Sequence, residues 1–172
     1  SNNSVVCNDI GDLHEFFWDG YEGKGEPYGL INLKASRKQG RLGETQYPDP
    51  DVQGYNPCAE QSLADKETCC LAEIYLPNIQ SFEEFVDVAT LLYRVNKHSL
   101  ALPCHLKATE EIVHRNMRMG IGVTGVLEAT EEQKGWLKDA YVKIREFDKE
   151  YSAKHGFPES VKPVSYTHLR AH

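Results

Sequence analysis

From residue 68 onward the chain alternates between strand-like and helix-like patterns, and that alternation narrows the folds open to it. Residues 68–76, Thr-Cys-Cys-Leu-Ala-Glu-Ile-Tyr-Leu, read as a strand closed by Pro77-Asn78. Ser81 with Glu84 is a capping-box pattern. It opens a helix whose apolar positions Phe82, Phe85, Val86, Ala89, Leu92 and Tyr93 recur at helical spacing. A second helix is expected over roughly 110–119, entered at Thr109, with Ile112 and Val113 inward and Gly120 as its stop. Residues 121–126 read as a short strand or strand-loop. The glycines Gly122 and Gly125 imply close approach by a ligand or a neighbouring element. Thr130 with Gln133 opens the longest helix, which runs to about Lys154 and closes at His155-Gly156. The order strand–helix–helix–strand–helix predicts the α/β class, with parallel strands.

The first third is more irregular. Polar residues lead into Val5-Val6-Cys7, a loop entering a strand. Asp12 can cap a short helix over Leu13, Phe16 and Phe17, stopped by Asp19-Gly20. Gly20, Gly23 and Gly25 predict a loop over 20–28, and they match no phosphate-cradle motif. Residues 30–33 fit either a strand or the start of a helix running to Lys38. Arg37, Lys38 and Arg41 suit a solvated helix end. Residues 43–57 carry Pro48, Pro50 and Pro57 and predict a long irregular segment of the functional kind.

That segment leads into Asn56-Pro57-Cys58-Ala59-Glu60. Pro57 biases Asn56 towards an extended conformation. In an extended run, alternate residues face one side. Asn56, Cys58 and Glu60 would then present an amide, a thiol and a carboxylate to one small substrate. Cys69 and Cys70 follow eleven and twelve residues after Cys58.

The 172 residues suit a domain of ordinary size, and 40% hydrophobic with 26% charged is a globular composition. A net charge of -7 disfavours a nucleic-acid surface, so no DNA or RNA binding is expected. No run of about 18 apolar residues occurs, which argues against a transmembrane helix. Five cysteines, an odd number, with no secretory leader point to a reducing, cytoplasmic compartment. There is no Cys-x-x-Cys pair, and His98, His105 and His114 have no metal-ligand spacing, so no metal site is expected. Residues 164–172 read as a non-native, adapter-like tail, which leaves 1–163 as part of a longer protein.

Asn56-Pro57-Cys58-Ala59-Glu60, with Cys69 eleven residues beyond Cys58, resembles the finger loop of ribonucleotide reductases in their adenosylcobalamin-dependent (class II) form. Ser1-Asn2-Asn3-Ser4-Val5, Gly25-Glu26-Pro27, Asn32-Leu33 with Arg37-Lys38, and residues 120–125 are similar to that family as well. Ser160-Val161-Lys162-Pro163 resembles the opening of its phosphate-binding turn. Within the family, the likeness is greatest to the monomeric ribonucleoside-triphosphate reductases.

The resemblance implies a ten-stranded α/β barrel with a central finger loop, of which residues 1–163 would form part. It also implies the reduction of ribonucleoside triphosphates to 2′-deoxyribonucleoside triphosphates. Cys58 would be oxidised to a thiyl radical by the radical that adenosylcobalamin releases. Glu60 would take the 3′-hydroxyl proton as general base, and Asn56 would hold the ribose. Cys69 would be one of two reducing thiols, its partner lying upstream and outside this chain, and would be reset by a thioredoxin-like protein or a small dithiol. Cys69 is preferred to Cys70 on spacing. Asn2, Asn3 and Ser4, and the turn at Lys162 and Pro163, would meet the substrate's polar groups and phosphates. An allosteric deoxynucleotide and a monomeric parent complete the expectation. A reading from another class makes Cys58, Cys69 and Cys70 a thiol-based metal-binding or redox module.

Overall fold

A computed structural model describes residues 3–24, 28–38, 48–57 and 60–162. These fall into two compact units, Ser1–Asp65 and Lys66–His172.

In the first unit, strand β1 (Asn3–Cys7) and strand β2 (Tyr28–Asn32) pair in parallel, with Val5 opposite Leu30 and Cys7 opposite Asn32. Between them lie a 3-10 turn, Ile10–Asp12, and helix α1, Glu15–Lys24. Asp12 does not cap that helix: it closes the capping box that Asp9 opens on the 3-10 turn, and α1 begins only at Glu15, where the Phe16 amide donates to His14 Nδ1 at 3.3 Å. Nor does Asp19-Gly20 stop the helix, since α1 runs through both. One interior glycine costs only about 1 kcal/mol relative to alanine. The stacking of Phe17 on Tyr21 one turn later, with ring centres 5.7 Å apart, helps to offset it.

Both readings of residues 30–33 are realised in succession, because β2 ends at Asn32 and helix α2 spans Leu33–Lys38. Asn32 makes the switch: its side-chain oxygen accepts the Ala35 amide at 2.9 Å, as a helix cap does. The chain then reaches an antiparallel hairpin of β3 (Gly54–Tyr55) and β4 (Ser62–Leu63). A small core of Ile31, Leu33 and Val52, with Tyr55 against it, ties α2 to the hairpin.

In the second unit, β5 (Cys70–Tyr75) and β6 (Met119–Thr124) are parallel, Ala72 facing Ile121. They are linked through a 3-10 turn (Leu76–Asn78), helix α3 (Phe82–Leu100) and helix α4 (Lys107–Asn116), and helix α5 (Glu131–His155) follows. Phe85, Ala89 and Tyr93 of α3 and Ala140 and Ile144 of α5 form one core with Ile74, Met119, Ile121 and Val123 of the strands. Each such large side chain contributes about 1.5–3 kcal/mol on burial. The α/β class with parallel strands therefore holds.

Thr130 and Gln133 make the reciprocal capping box, and the Gln133 amide also ties the helix start to the carbonyls of Leu76 and Ile79. At α3 only half the expected box forms. The Ser81 hydroxyl accepts the Glu84 amide, but Glu84 reaches back to Gln80 rather than Ser81. Helix α4 starts earlier than the sequence suggests and ends at Met117, a left-handed residue with φ 44°, so Gly120 lies inside β6. The cause is inside the unit. Asn116 and Arg118 both turn onto the buried Glu67 carboxylate, each at 3.0 Å, and that pull ends the helix before the glycine.

A second buried polar network joins α3 to α5. Lys97 sits 3.3 Å from Asp148, both essentially without solvent exposure. Tyr93 donates to the same carboxylate. Burial, and then Asp148, hold the Tyr93 hydroxyl far above the ordinary tyrosine range. Burial pulls the Lys97 ammonium down, and Asp148 works against that pull.

Candidate active site

Asn56 and Gln61 close the β3–β4 hairpin: the Asn56 amide donates to the Gln61 carbonyl at 3.0 Å, and the Gln61 amide returns to the Asn56 side-chain oxygen at 3.0 Å. The strand-alternation argument for putting Asn56 and Glu60 together is therefore corrected. The chain reversal brings them together, and the Asn56 side-chain amide donates to the Glu60 carboxylate at 2.5 Å. Both are buried, at 6% and 5% exposure, which makes this a charge-assisted contact in a low-dielectric setting. Cys58 lies in the loop between them, outside the described residues.

Several residues with no expected part in the site hold this hairpin. Arg37, expected as a solvated helix end, donates Nε to the Val52 carbonyl at 2.9 Å and Nη1 to Asn8. Tyr55 donates its hydroxyl to Ser36 of α2 at 2.7 Å, and Ser62 donates to Asp49 at 3.2 Å. The proline-rich stretch before the hairpin is thus anchored at Asp49 and Val52, both buried. Of these, only Arg37 carried a sequence signal, its placement in the last turn of a short helix.

In the second unit, Cys69 and Cys70 are half-buried and neither forms a disulfide. Cys70 bonds through its sulfur to Asn96 of α3 at 3.4 Å, on the helix-covered side of β5. Burial pushes its thiol up, and the neighbouring Cys69 adds to the shift. Cys69 lies one residue before β5. The Lys162 carbonyl accepts the Met119 amide at 3.0 Å, so the segment entering the expected phosphate turn is bonded at the start of β6. Asn3 and Ser4 lie in β1, while Asn2 and Pro163 fall outside the described residues. Among the described residues, no helix is long and apolar enough to cross a membrane. Among them also, no group of three or more His, Cys, Asp or Glu could hold a metal ion.

No family model matches the chain. It is 32% identical to the adenosylcobalamin-dependent ribonucleoside-triphosphate reductase of Euglena gracilis, over 96% of this chain and 23% of that protein. It is 33% identical to the enzyme of that name from Lacticaseibacillus paracasei, over 73% of this chain and 17% of that protein. The solved structure of a B-12 dependent (class II) ribonucleotide reductase superposes with a TM-score of 0.79 at 25% identity, over 95% of this chain and 27% of that one. The chain thus spans about a quarter or less of the length of these relatives. Fold and hairpin together define part of an α/β barrel with a cysteine-bearing loop. The chain belongs to the ribonucleotide reductase family. Nothing in the structure or the comparisons favours the thiol-module reading of Cys58, Cys69 and Cys70.

Proposed function

We propose that this chain carries the radical-cysteine loop of an adenosylcobalamin-dependent ribonucleoside-triphosphate reductase, which makes 2′-deoxyribonucleoside triphosphates for DNA synthesis. The observation that carries the reading is the Asn56–Glu60 contact across the hairpin that holds Cys58, in a chain related over nearly its whole length to reductases of that name.

Cys58, as its thiyl radical, takes the ribose 3′ hydrogen. An S–H bond is close enough in strength to that C–H bond for the transfer to reverse. Glu60 accepts the 3′-hydroxyl proton, and Asn56 orients both the ribose and the carboxylate. Cys69 supplies one reducing thiol. Its spacing, eleven residues after Cys58, favours it over Cys70. Asn2, Asn3 and Ser4 at one end, and Lys162 and Pro163 at the other, meet the substrate's hydroxyls and phosphates. A thioredoxin-like protein or small dithiol, an allosteric deoxynucleotide, a monomeric state and a cytoplasmic setting belong to the same reading. Adenosylcobalamin, when bound, supplies the oxidising radical.

The test is turnover of the full-length protein with adenosylcobalamin, a ribonucleoside triphosphate and a dithiol. Cys58→Ser is expected to abolish deoxynucleotide formation. Turnover retained in that variant would overturn the reading.

A further inference from the structure

We propose that the groove between α3 and the C-terminal part of α5 binds a small phosphate ester that carries a flat ring. The groove lies wholly within the second unit, and none of its residues has a part in the reaction proposed above.

The site begins as one side of a helix. Phe147, Glu150, Tyr151, Lys154 and His155 recur along α5 at three- and four-residue steps, so they share a face. The apolar stripe that α5 turns to the core ends here, in rings that the core covers only in part. Phe147 stacks on Tyr151 with ring centres 5.3 Å apart, and the Tyr151 ring lies 4.3 Å from that of His155. The buried Tyr93 meets Phe147 and Tyr151 edge-on, at 5.3 and 6.0 Å. His98 of α3 shares a hydrogen bond of 2.8 Å with the Tyr151 hydroxyl. The rings are thus fixed before any ligand arrives, which lowers the cost of binding one. With Arg94 of α3, the five α5 residues line a cavity of about 430 Å³. That volume is within the range of small-molecule sites.

The charges around the cavity select the ligand. Arg94 holds its guanidinium 5.3 Å from the centre of the Phe147 ring and 6.0 Å from that of Tyr151. Among the described residues neither Arg94 nor Lys154 has a carboxylate partner. Glu150 stands four residues before Lys154, the spacing that favours a pair, and the pair is not made. Cations in the last turn of α5 also suit the negative end of its dipole, which accounts for Lys154 and His155. It does not account for Arg94, which lies inside α3. A guanidinium resting on aromatic faces keeps its N–H fork available, and that fork matches phosphate oxygens two at a time. Lys154 adds a second permanent positive charge, against the single carboxylate of Glu150. This local excess stands out in a chain of net charge -7. The adjoining rings offer flat apolar surface, on which a ring of the ligand can stack.

The test is isothermal titration calorimetry of the full-length protein at low salt, with phenyl phosphate as the probe and inorganic phosphate as the arm that lacks a ring. Phenyl phosphate is expected to bind saturably, about fivefold or more tighter than inorganic phosphate. Arg94→Gln should weaken it about tenfold, and Lys154→Gln about threefold. Glu150→Gln removes the opposing charge and should tighten it about twofold, an effect that damage to the groove could not produce. No saturable binding to the wild type would overturn the proposal. So would an affinity unchanged in Lys154→Gln and Glu150→Gln, because the probe would then be binding elsewhere on the protein. Both of those positions are exposed, so they decide the matter even if Arg94→Gln does not fold. Equal affinities for the two probes would refute the ring-bearing ligand. Turnover does not enter the readout, so the functional reading can fail without deciding this one.

Discussion

Asn56 donates its side-chain amide to the Glu60 carboxylate at 2.5 Å, across a loop whose two ends are clamped by the Asn56–Gln61 backbone pair. The carboxylate is thereby oriented before any substrate binds. Glu60→Gln keeps the shape and removes the base. The expected result is a fall in kcat of about 10²–10⁴ with the triphosphate KM little changed, as for a general base acting in the transition state. Steady-state deoxynucleotide formation by the full-length protein measures it, and a kcat within twofold of wild type would rule the base role out.

Arg118 and Glu67 are both fully buried and 3.0 Å apart. Arg118→Met takes the guanidinium from the buried Glu67 carboxylate and leaves it the Asn116 amide. The expected loss is about 3–5 kcal/mol, and adding Glu67→Leu should restore much of it, because a buried charge that loses its ion-pair partner costs more than a buried pair contributes. Urea unfolding of the two variants in the full-length protein gives the comparison.

Tyr93 carries a pH signature. Its folded-state pKa lies above the ordinary value of 10.0, with burial as the main cause. Above pH 10 the folded chain therefore keeps a proton that the unfolded chain has lost, and stability falls as pH rises. The contribution is fully present below pH 10. Tyr93→Phe lacks this titration, so the wild type should lose stability more steeply above pH 10, by up to about 1.4 kcal/mol per pH unit. Parallel unfolding curves at pH 9 to 11 for wild type and variant would contradict the assignment.

Two glycines in and after β6 should respond differently to alanine. At Gly122 the atoms nearest a Cβ are the carboxylate end of the exposed, flexible Glu73 side chain, from 2.1 Å. The expected cost is under about 1 kcal/mol. Gly125 has φ +74°, and its Cβ would lie 2.5 Å from the Tyr75 ring and 2.8 Å from Pro77. Gly125→Ala should cost about 1–3 kcal/mol. Equal melting temperatures for the two variants would refute the distinction. The close approach foreseen at these glycines comes from a neighbouring element, the end of β5.

Periodicity and caps made much of the second unit legible. Strand β5, the amphipathic face of α3, the Thr130–Gln133 box and the Gly156 stop are all local patterns, and each is written in a few adjacent residues. The candidate loop was legible as a motif, because residue types at short spacing are themselves the signal. Its shape was not. Alternation along an extended run was the wrong geometry for Asn56 and Glu60, since whether the chain continues or turns back depends on β4 pairing with β3. Likewise the end of α4 looked like Gly120, but Glu67, about fifty residues earlier, decides it.

The sequence by itself determined the α/β class, the parallel strands, the main helices and the identity of the loop that carries Cys58. Those follow from short-range spacing and capping, which act before the chain has folded. Only the tertiary structure decided that Asn56 and Glu60 meet across a hairpin, that Arg37 braces that hairpin, and that Lys97 lies wholly buried against Asp148 and Ser160. Each of these is a polar contact between groups that only the completed fold brings within reach. In water such groups are solvated separately, so a pattern read along the chain carries little trace of them.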